Sequence, residues 1–443
     1  MRRNRSLLSK SWTRLDVLFF LFFFLSVNVL LFLLFHQQAV GSAVVGGPYP
    51  SDMKAYLLEM QGMESGYRFP YPVFFQITAF FHLFLNPELA ITCSTLLLNA
   101  ASMVLLKLAL EHFSGEAFRK ILGNYGFLAG PFLSLAAFSL LWVSMVYPPP
   151  GHYLPGIENL YLGVFTPNPF HNATYLATRP FAIIAFFWYA KLMPVYEKGC
   201  GRVPTRDYVV FGLSLLLTTM TKPSFTLALV GAAGVLMGYR LIRSGLRNLI
   251  PTLQLTACFL PTFAHLLYQY QGVFVPQGGE EGGIGFGLAT AWKLYCGNIP
   301  LAVGLAMGFP LLVLFLNFRE LKTDMVYRLS WQVYAMSLAM LLFCYEKGFR
   351  LDDLNFSWGY MHGIFFAFLG ALLVLLRETA DCIRLAGGKE GPVSGERTGL
   401  PGRKEASWKI KVSRLVLQWL AYGWHLACGL AYFFRIFQGS VYR

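Results

Sequence analysis

The feature that most constrains this chain is a series of apolar runs, each long enough to cross a bilayer. The first lies within "MRRNRSLLSKSWTRLDVLFFLFFFLSVNVLLFLLF", where residues 17–35 pass without a charge. A hydrocarbon core of ~30 Å needs roughly 20 such residues in a helix. Comparable runs recur at about 89–110, 127–147, 173–193, 208–221, 224–239, 249–270, 296–317, 329–345, 359–376 and 412–436, giving eleven. With 56% hydrophobic and 13% charged residues, the chain carries about half the charge of an ordinary soluble domain. The expected fold is all-α, a polytopic transmembrane helix bundle of 11–12 spans. The open twelfth is "VFFQITAFFHLF" at 73–84, short and ending near His82. As a full span it would invert every later loop, so a half-membrane or interfacial helix is the expectation.

Charge orients the bundle. Of 36 Lys and Arg, 26 fall in segments 1–16, 112–125, 191–207, 240–248, 318–328 and 377–414, while loops 36–72, 148–172, 271–295 and 346–358 carry five. Basic loops alternating with poor ones follow the positive-inside rule. The N-terminus is therefore expected in the cytoplasm and the four poor loops outside. The net charge of +14 then reports topology and an anionic leaflet, and no nucleic-acid partner is expected. The first run has the basic flank of a signal peptide, but its length marks an uncleaved anchor. A bacterial cytoplasmic membrane is the expected address. The seven Cys, scattered without CxxC spacing, read as small buried hydrophobes. Residues 1–376 form the expected membrane core, 377–411 a cytoplasmic linker, partly disordered, and 412–443 the last helix; the Gly-, Pro- and charge-rich "AGGKEGPVSGERTGLPGRKEA" marks the linker.

Chemistry must then reside in the outer loops. The first carries Asp52 ahead of "MKAYLLEMQGM", whose Met53, Tyr56, Leu57 and Met60 share an apolar face, as in a helix lying on the membrane surface. Asp52 suits an N-cap first, and beside that a catalytic carboxylate or the seat of a divalent Mg or Mn ion, since a helix start favours negative charge. Glu59 follows two turns later. The second loop ends in "TPNPFHNATYLATRP", placing His171, Asn172 and Arg179 at the re-entry into the membrane. Irregular backbone at that depth persists where it packs in protein or lines a wet cavity, and Arg179 there either meets an anion or snorkels to the interface. "TTMTKPSF" puts Lys222 in a tight hairpin, facing a lipid phosphate or the headgroups. The Gly-rich third loop around Glu280 and Glu281 reads as mobile. In the fourth, "EKGFRLDDLNFSWG", the residues Glu346, Arg350, Asp352, Asn355 and Trp358 interleave with apolar ones, a mixture suited to sugar hydroxyls or a sugar phosphate.

This layout resembles the GT-C class of membrane glycosyltransferases. The resemblance is carried by Asp52 in the loop after the first span, the surface helix behind it, "YRFPYPVF" leading to the next membrane element, and the late acidic, Arg and aromatic cluster. It implies transfer of a sugar from a polyprenyl-phosphate donor to a glycan, lipid or protein acceptor, with Asp52 as general base. It further implies that Arg179, Lys222 and Arg350 meet the donor phosphate. Asp52 stands without an Asp-x-Asp pair, and no WWDYG signature is present. The competing expectations are a transporter or lipid flippase without covalent chemistry, for which mid-span charges would be typical, and a non-enzymatic scaffold.

Overall fold

The computed structural model describes residues 12–41, 51–147, 154–198, 203–274, 282–386 and 401–439. Glu280, Glu281, Cys200 and residues 387–400 of the expected linker lie outside these. Helices α1 (Arg14–Val40), α2 (Met53–Met60), α3 (Pro72–His82) and α4 (Pro87–Leu110) come first, and a π-helical turn, Glu111–Gly115, joins α4 to α5 (Glu116–Leu122). Next are α6 (Ala129–Ser139), α7 (Leu160–Val164), α8 (Ala173–Lys198), α9 (Thr205–Thr221) and α10 (Ser224–Arg243). The second half holds α11 (Leu249–Ala257), α12 (Leu260–Val273), α13 (Ile299–Leu316), α14 (Glu320–Thr323), α15 (Met325–Phe343), α16 (Phe356–Ala386) and α17 (Pro401–Phe437). Among the described residues, five helical segments are long and apolar enough to cross a membrane, or six if α11 and α12, bent by 51° at their junction, count as one broken span. The chain is a multi-pass membrane protein. Exposed Leu18, Phe22, Leu25 and Val29 form a stripe on the outer face of α1, which a lipid surround accepts and water would not.

Capping residues start the helices where the sequence changes. Thr13 caps α1, Asn86 followed by Pro87 caps α4, Asn298 caps α13 and Asp324 caps α15, each accepting from the backbone amide three residues on. Asp16 at the start of α1 meets Lys107 near the end of α4 at 3.1 Å, so the two helices run antiparallel. Lys107 is buried, and its remaining donors reach Glu111 at 3.1 Å and the Gly130 carbonyl at 2.7 Å. The end of α1 and the start of α4 therefore share one side of the bundle. Between them α3, 11 residues and about 16 Å long at 1.5 Å per residue, is too short to cross.

The apolar core of α16 is wholly buried. It packs against α15 through Gly363 and Gly370, where a Cβ would collide with Ser337 and Ser330 of the facing helix. Small residues let the two backbones approach, the main source of packing energy where lipid removes the hydrophobic drive. Three features depart from the sequence reading. The run expected as a span over 127–147 is helical only to Ser139 and then unwinds. Its backbone is satisfied from afar: Asn168 Nδ2 donates to the carbonyls of Leu140 (3.0 Å) and Val143 (2.7 Å), while the Ser144 and Val146 amides donate to His425 and Leu305 carbonyls. α16 continues to Ala386, ten residues into the expected linker, where Arg377 pairs with Glu320 and Asp324; α17 begins at Pro401 rather than 412. The third outer loop forms a strand, β1 (Gly283–Phe286), antiparallel to β2 (Cys344–Lys347), with Gly283 opposite Lys347 and Phe286 opposite Cys344. This ribbon ties the third and fourth loops together.

Candidate functional site

Four helix starts meet at one side of the bundle: α2 after Asp52, α8 after Asn172, α10 after Lys222-Pro223, and α16 after Asn355. Asp52 occupies the N-cap position of α2 yet makes no side-chain cap bond; the neighbouring Ser51 Oγ accepts from the Met53 amide at 3.1 Å instead. This leaves the Asp52 carboxylate to Asn172, whose Nδ2 donates to Asp52 Oδ2. The backbone completes the junction, with the Asp52 amide (3.2 Å) and Ser51 Oγ (2.8 Å) both donating to the His171 carbonyl.

The orientation of the Asn172 carboxamide follows from its surroundings. Its Oδ1 accepts from the Tyr175 amide at 2.8 Å, capping α8, and an N–H can only donate. Nδ2 must therefore face Asp52 and the Tyr56 hydroxyl, 3.0 Å away. Lys222 reaches the same Oδ1 at 3.1 Å and Thr174 Oγ1 at 3.3 Å. Its ammonium also lies 4.1 Å from the centre of the Trp358 ring and 5.8 Å from that of Tyr71, so its third N–H is left to an aromatic face. Lys222 is 5% exposed, and burial pulls its pKa down to about 7, with Asp52 opposing and Arg350 adding to the fall. One amide thus joins an acid on one side to a cation on the other.

The fourth loop supplies a second charged group beside the first. Arg350 Nε donates to Glu346 Oε2 at 2.8 Å, Asn355 Nδ2 donates to the same oxygen at 2.6 Å, and Asp353 stands 3.7 Å from Arg350. Leu354, buried with φ of 50°, turns the chain so that Asn355 comes back to Glu346. Burial raises Asp353 to about 6, with Glu346 and Asp52 adding and Arg350 holding it down. The charges of Asp52, Glu346, Arg350 and Asp353 all act on the Tyr71 hydroxyl, whose pKa burial drives well up. Asp52, Glu346, Arg350 and Asp353 are thus gathered about Tyr71, Asn172 links Asp52 to Lys222 over the Trp358 ring, and Asn355 holds Glu346, so these residues form one polar cluster.

Of four further sequence candidates, three are placed otherwise, while His171 stays beside Asp52 and Trp358. Arg179 is 1% exposed and spends Nη2 on the Pro167 carbonyl (2.7 Å) and Asn168 Oδ1 (2.6 Å), its guanidinium lying over Phe365 and Tyr175. It braces the loop that caps the unwound end of α6. Glu59 is half-buried and turned to the Phe69 amide and Arg68. The Asp352 side chain is exposed, while its carbonyl accepts from the Tyr295 hydroxyl at 3.0 Å. His171 offers its carbonyl to Asp52; its buried ring stands edge-on to Tyr161, and burial lowers its pKa to about 4, leaving it neutral. The cluster also contains Tyr56, Thr174 and Tyr71. Tyr56 lies one turn after Asp52 on α2, the spacing of side chains on one face, and Thr174 Oγ1 lies 3.1 Å from Asn172 Oδ1 and 2.9 Å from the Tyr56 hydroxyl.

No family model, curated protein or solved structure matches the chain. An Asp oxygen held by a neutral amide retains lone pairs for an incoming hydroxyl. The helix starts of α8, α10 and α16 each direct partial positive charge at the same space, which suits an anion. Among the described residues no three His, Cys, Asp or Glu side chains are grouped to hold a metal. Asp52 is flanked by an amide donor and, beyond it, an ammonium, a donor set that fits an anion better than Mg or Mn.

Proposed function

We propose that this protein is a GT-C-like membrane glycosyltransferase that moves a sugar from a polyprenyl-phosphate donor to an acceptor hydroxyl, with Asp52 as general base. The observation that carries the reading is the release of Asp52 from its cap: the carboxylate stands at a helix start, is not used there, and is held by Asn172, whose other end takes Lys222 over the Trp358 ring. In this reading the bundle has 11–12 spans, the N-terminus is cytoplasmic, and the cluster lies on the extracytoplasmic side of a bacterial cytoplasmic membrane.

The acceptor oxygen attacks the anomeric carbon and a new C–O bond forms as the bond from that carbon to the phosphate oxygen breaks. The acceptor proton passes to Asp52, and the bonding pair leaves on the lipid phosphate. That leaving group needs no proton at neutral pH; it needs charge stabilisation, supplied by Arg350, by Lys222 through space and by the helix starts. General-base catalysis is worth about 10²- to 10⁴-fold and correct placement of the two substrates more. The ring of Trp358 offers an apolar face for the sugar.

The test is donor turnover by purified protein in liposomes containing polyprenyl-phosphate hexose, with sugar acceptors in the medium on the side of the cluster. The reading expects free polyprenyl phosphate and a glycosylated acceptor to appear together. Donor crossing the bilayer intact, with no phosphate lipid released, would replace it with a flippase.

A further inference from the structure

A second site lies on the lipid-facing side of α9, away from the cluster. The bend between α11 and α12 opens a cleft of about 700 Å³ against α9, within the range of built ligand pockets. Pro261 follows the bend and has no N–H, so the Ala257 carbonyl in the cleft wall loses its helical donor. Val209, Gly212, Leu213 and Leu216 form one wall, with Cys258 and Pro261 opposite. One end of the cleft, at the first turn of α9, carries Thr205, and Gln254 lines the wall from α11.

That end belongs to the side of the bundle opposite the cluster. α9 runs from Thr205 toward Lys222, so the cleft starts at the first turn of α9 and stops short of the site. From Thr205 to Leu216 is about 16 Å along the helix, and half of a ~30 Å hydrocarbon core is about 15 Å. The cleft thus has the length of one leaflet. Next to Thr205, Arg206 is exposed and has no ion pair among the described residues, while the adjacent Asp207 is paired with Lys191 at 2.8 Å.

We infer that this cleft binds one anionic phospholipid of the leaflet on the basic side, its phosphate at Arg206 and the Thr205 hydroxyl and one acyl chain laid along α9 to the bilayer centre. Length selects a chain that ends at mid-membrane, and charge selects an anionic head. The inference is independent of the proposed transfer reaction.

Native mass spectrometry of the detergent-purified full chain tests it, with phosphatidylglycerol and phosphatidylcholine of equal chain length as probes. Wild type is expected to retain one phosphatidylglycerol through washing that strips bulk lipid. Arg206→Glu should reduce the preference for phosphatidylglycerol over phosphatidylcholine by about five- to tenfold. Val209→Trp with Leu213→Trp should abolish retention of both; these side chains are 50% and 56% exposed, so the added rings fill the cleft without entering the core. Circular dichroism melting confirms that each variant is folded, and Arg206→Gln, with a smaller loss, substitutes for Arg206→Glu if that variant is not. Equal retention of the two lipids by wild type, retention unchanged in the double Trp variant, or a polyprenyl phosphate held in place of phosphatidylglycerol overturns the inference.

Discussion

At the scale of single residues, the cluster depends on one amide. Asn172 reads in the sequence as one polar residue among turn-formers, yet its Oδ1 caps α8 and accepts from Lys222, while its Nδ2 faces Asp52 and Tyr56. Asn172→Leu removes all of these, and leaves Lys222 buried beside an apolar group. The expected result is a stability loss of about 2–4 kcal/mol in chemical denaturation and a transfer rate reduced by at least an order of magnitude. Two titrating groups give the site a pH signature. Lys222, at about 7, is cationic below that pH, so the donor KM should rise as pH goes from 7 to 9 while donor solubility is unchanged. Asp353 is raised from 3.8 to about 6, so the folded chain keeps a proton that the unfolded carboxyl gives up earlier. Its contribution to stability is complete below about pH 4 and is lost as pH rises through 6, after which its buried charge is a standing cost. Asp353→Asn should therefore raise the melting midpoint at pH 8 and leave it nearly unchanged at pH 4, as a thermal shift series would show.

At the scale of elements, helix starts and close helix contacts do the positioning. Gly363 and Gly370 sit two turns apart on α16 and bring α15 within backbone reach. Gly363→Val would force the pair apart, with an expected cost of about 1–3 kcal/mol and a lowered midpoint; Gly304, with open space around it, should accept Ala at little cost. How far the elements can be read from sequence follows from where their partners lie. Apolar runs and caps such as Asn86-Pro87 are local, so α1, α4 and α13 are evident at once. The unwinding of α6 after Ser139 is not, because the groups that satisfy it belong to Asn168, Leu305 and His425. Arg179 suggests a ligand-binding cation for the same reason: the carbonyl that takes up its donors comes from a loop whose path only the fold defines. Asp52, Lys222 and Trp358 are visible as polar or aromatic residues at span ends, whereas Tyr56, Thr174 and Tyr71 look like ordinary hydroxyls until the helices bring them together. The β1–β2 ribbon leaves no trace in a Gly-rich loop, since its pairing is entirely with residues sixty positions away.

At the scale of the whole molecule, the proposed orientation, with the N-terminus in the cytoplasm and Asp52 outside, is open to a direct test. A single Cys replacing exposed Glu64 in a Cys-free background should react with an impermeant maleimide in intact cells, and one replacing exposed Lys322 only after permeabilisation; the reverse pattern would invert the bundle. At the far side, the Asp16–Lys107–Glu111 cluster fastens α1 to α4, and Lys107→Met, which leaves the buried Asp16 without its cation while Glu111 keeps Arg119, should cost about 3–5 kcal/mol. The central claim is that the acid at the first exit from the membrane performs chemistry on a substrate held by residues from the other end of the chain. It is tested most directly by the single-turnover rate of sugar transfer in Asp52→Asn, an isosteric change that keeps the Asn172 contact in reach and removes the proton acceptor. The account predicts a folded, inserted protein that binds donor and transfers about 10²- to 10⁴-fold more slowly; transfer at the wild-type rate would contradict it.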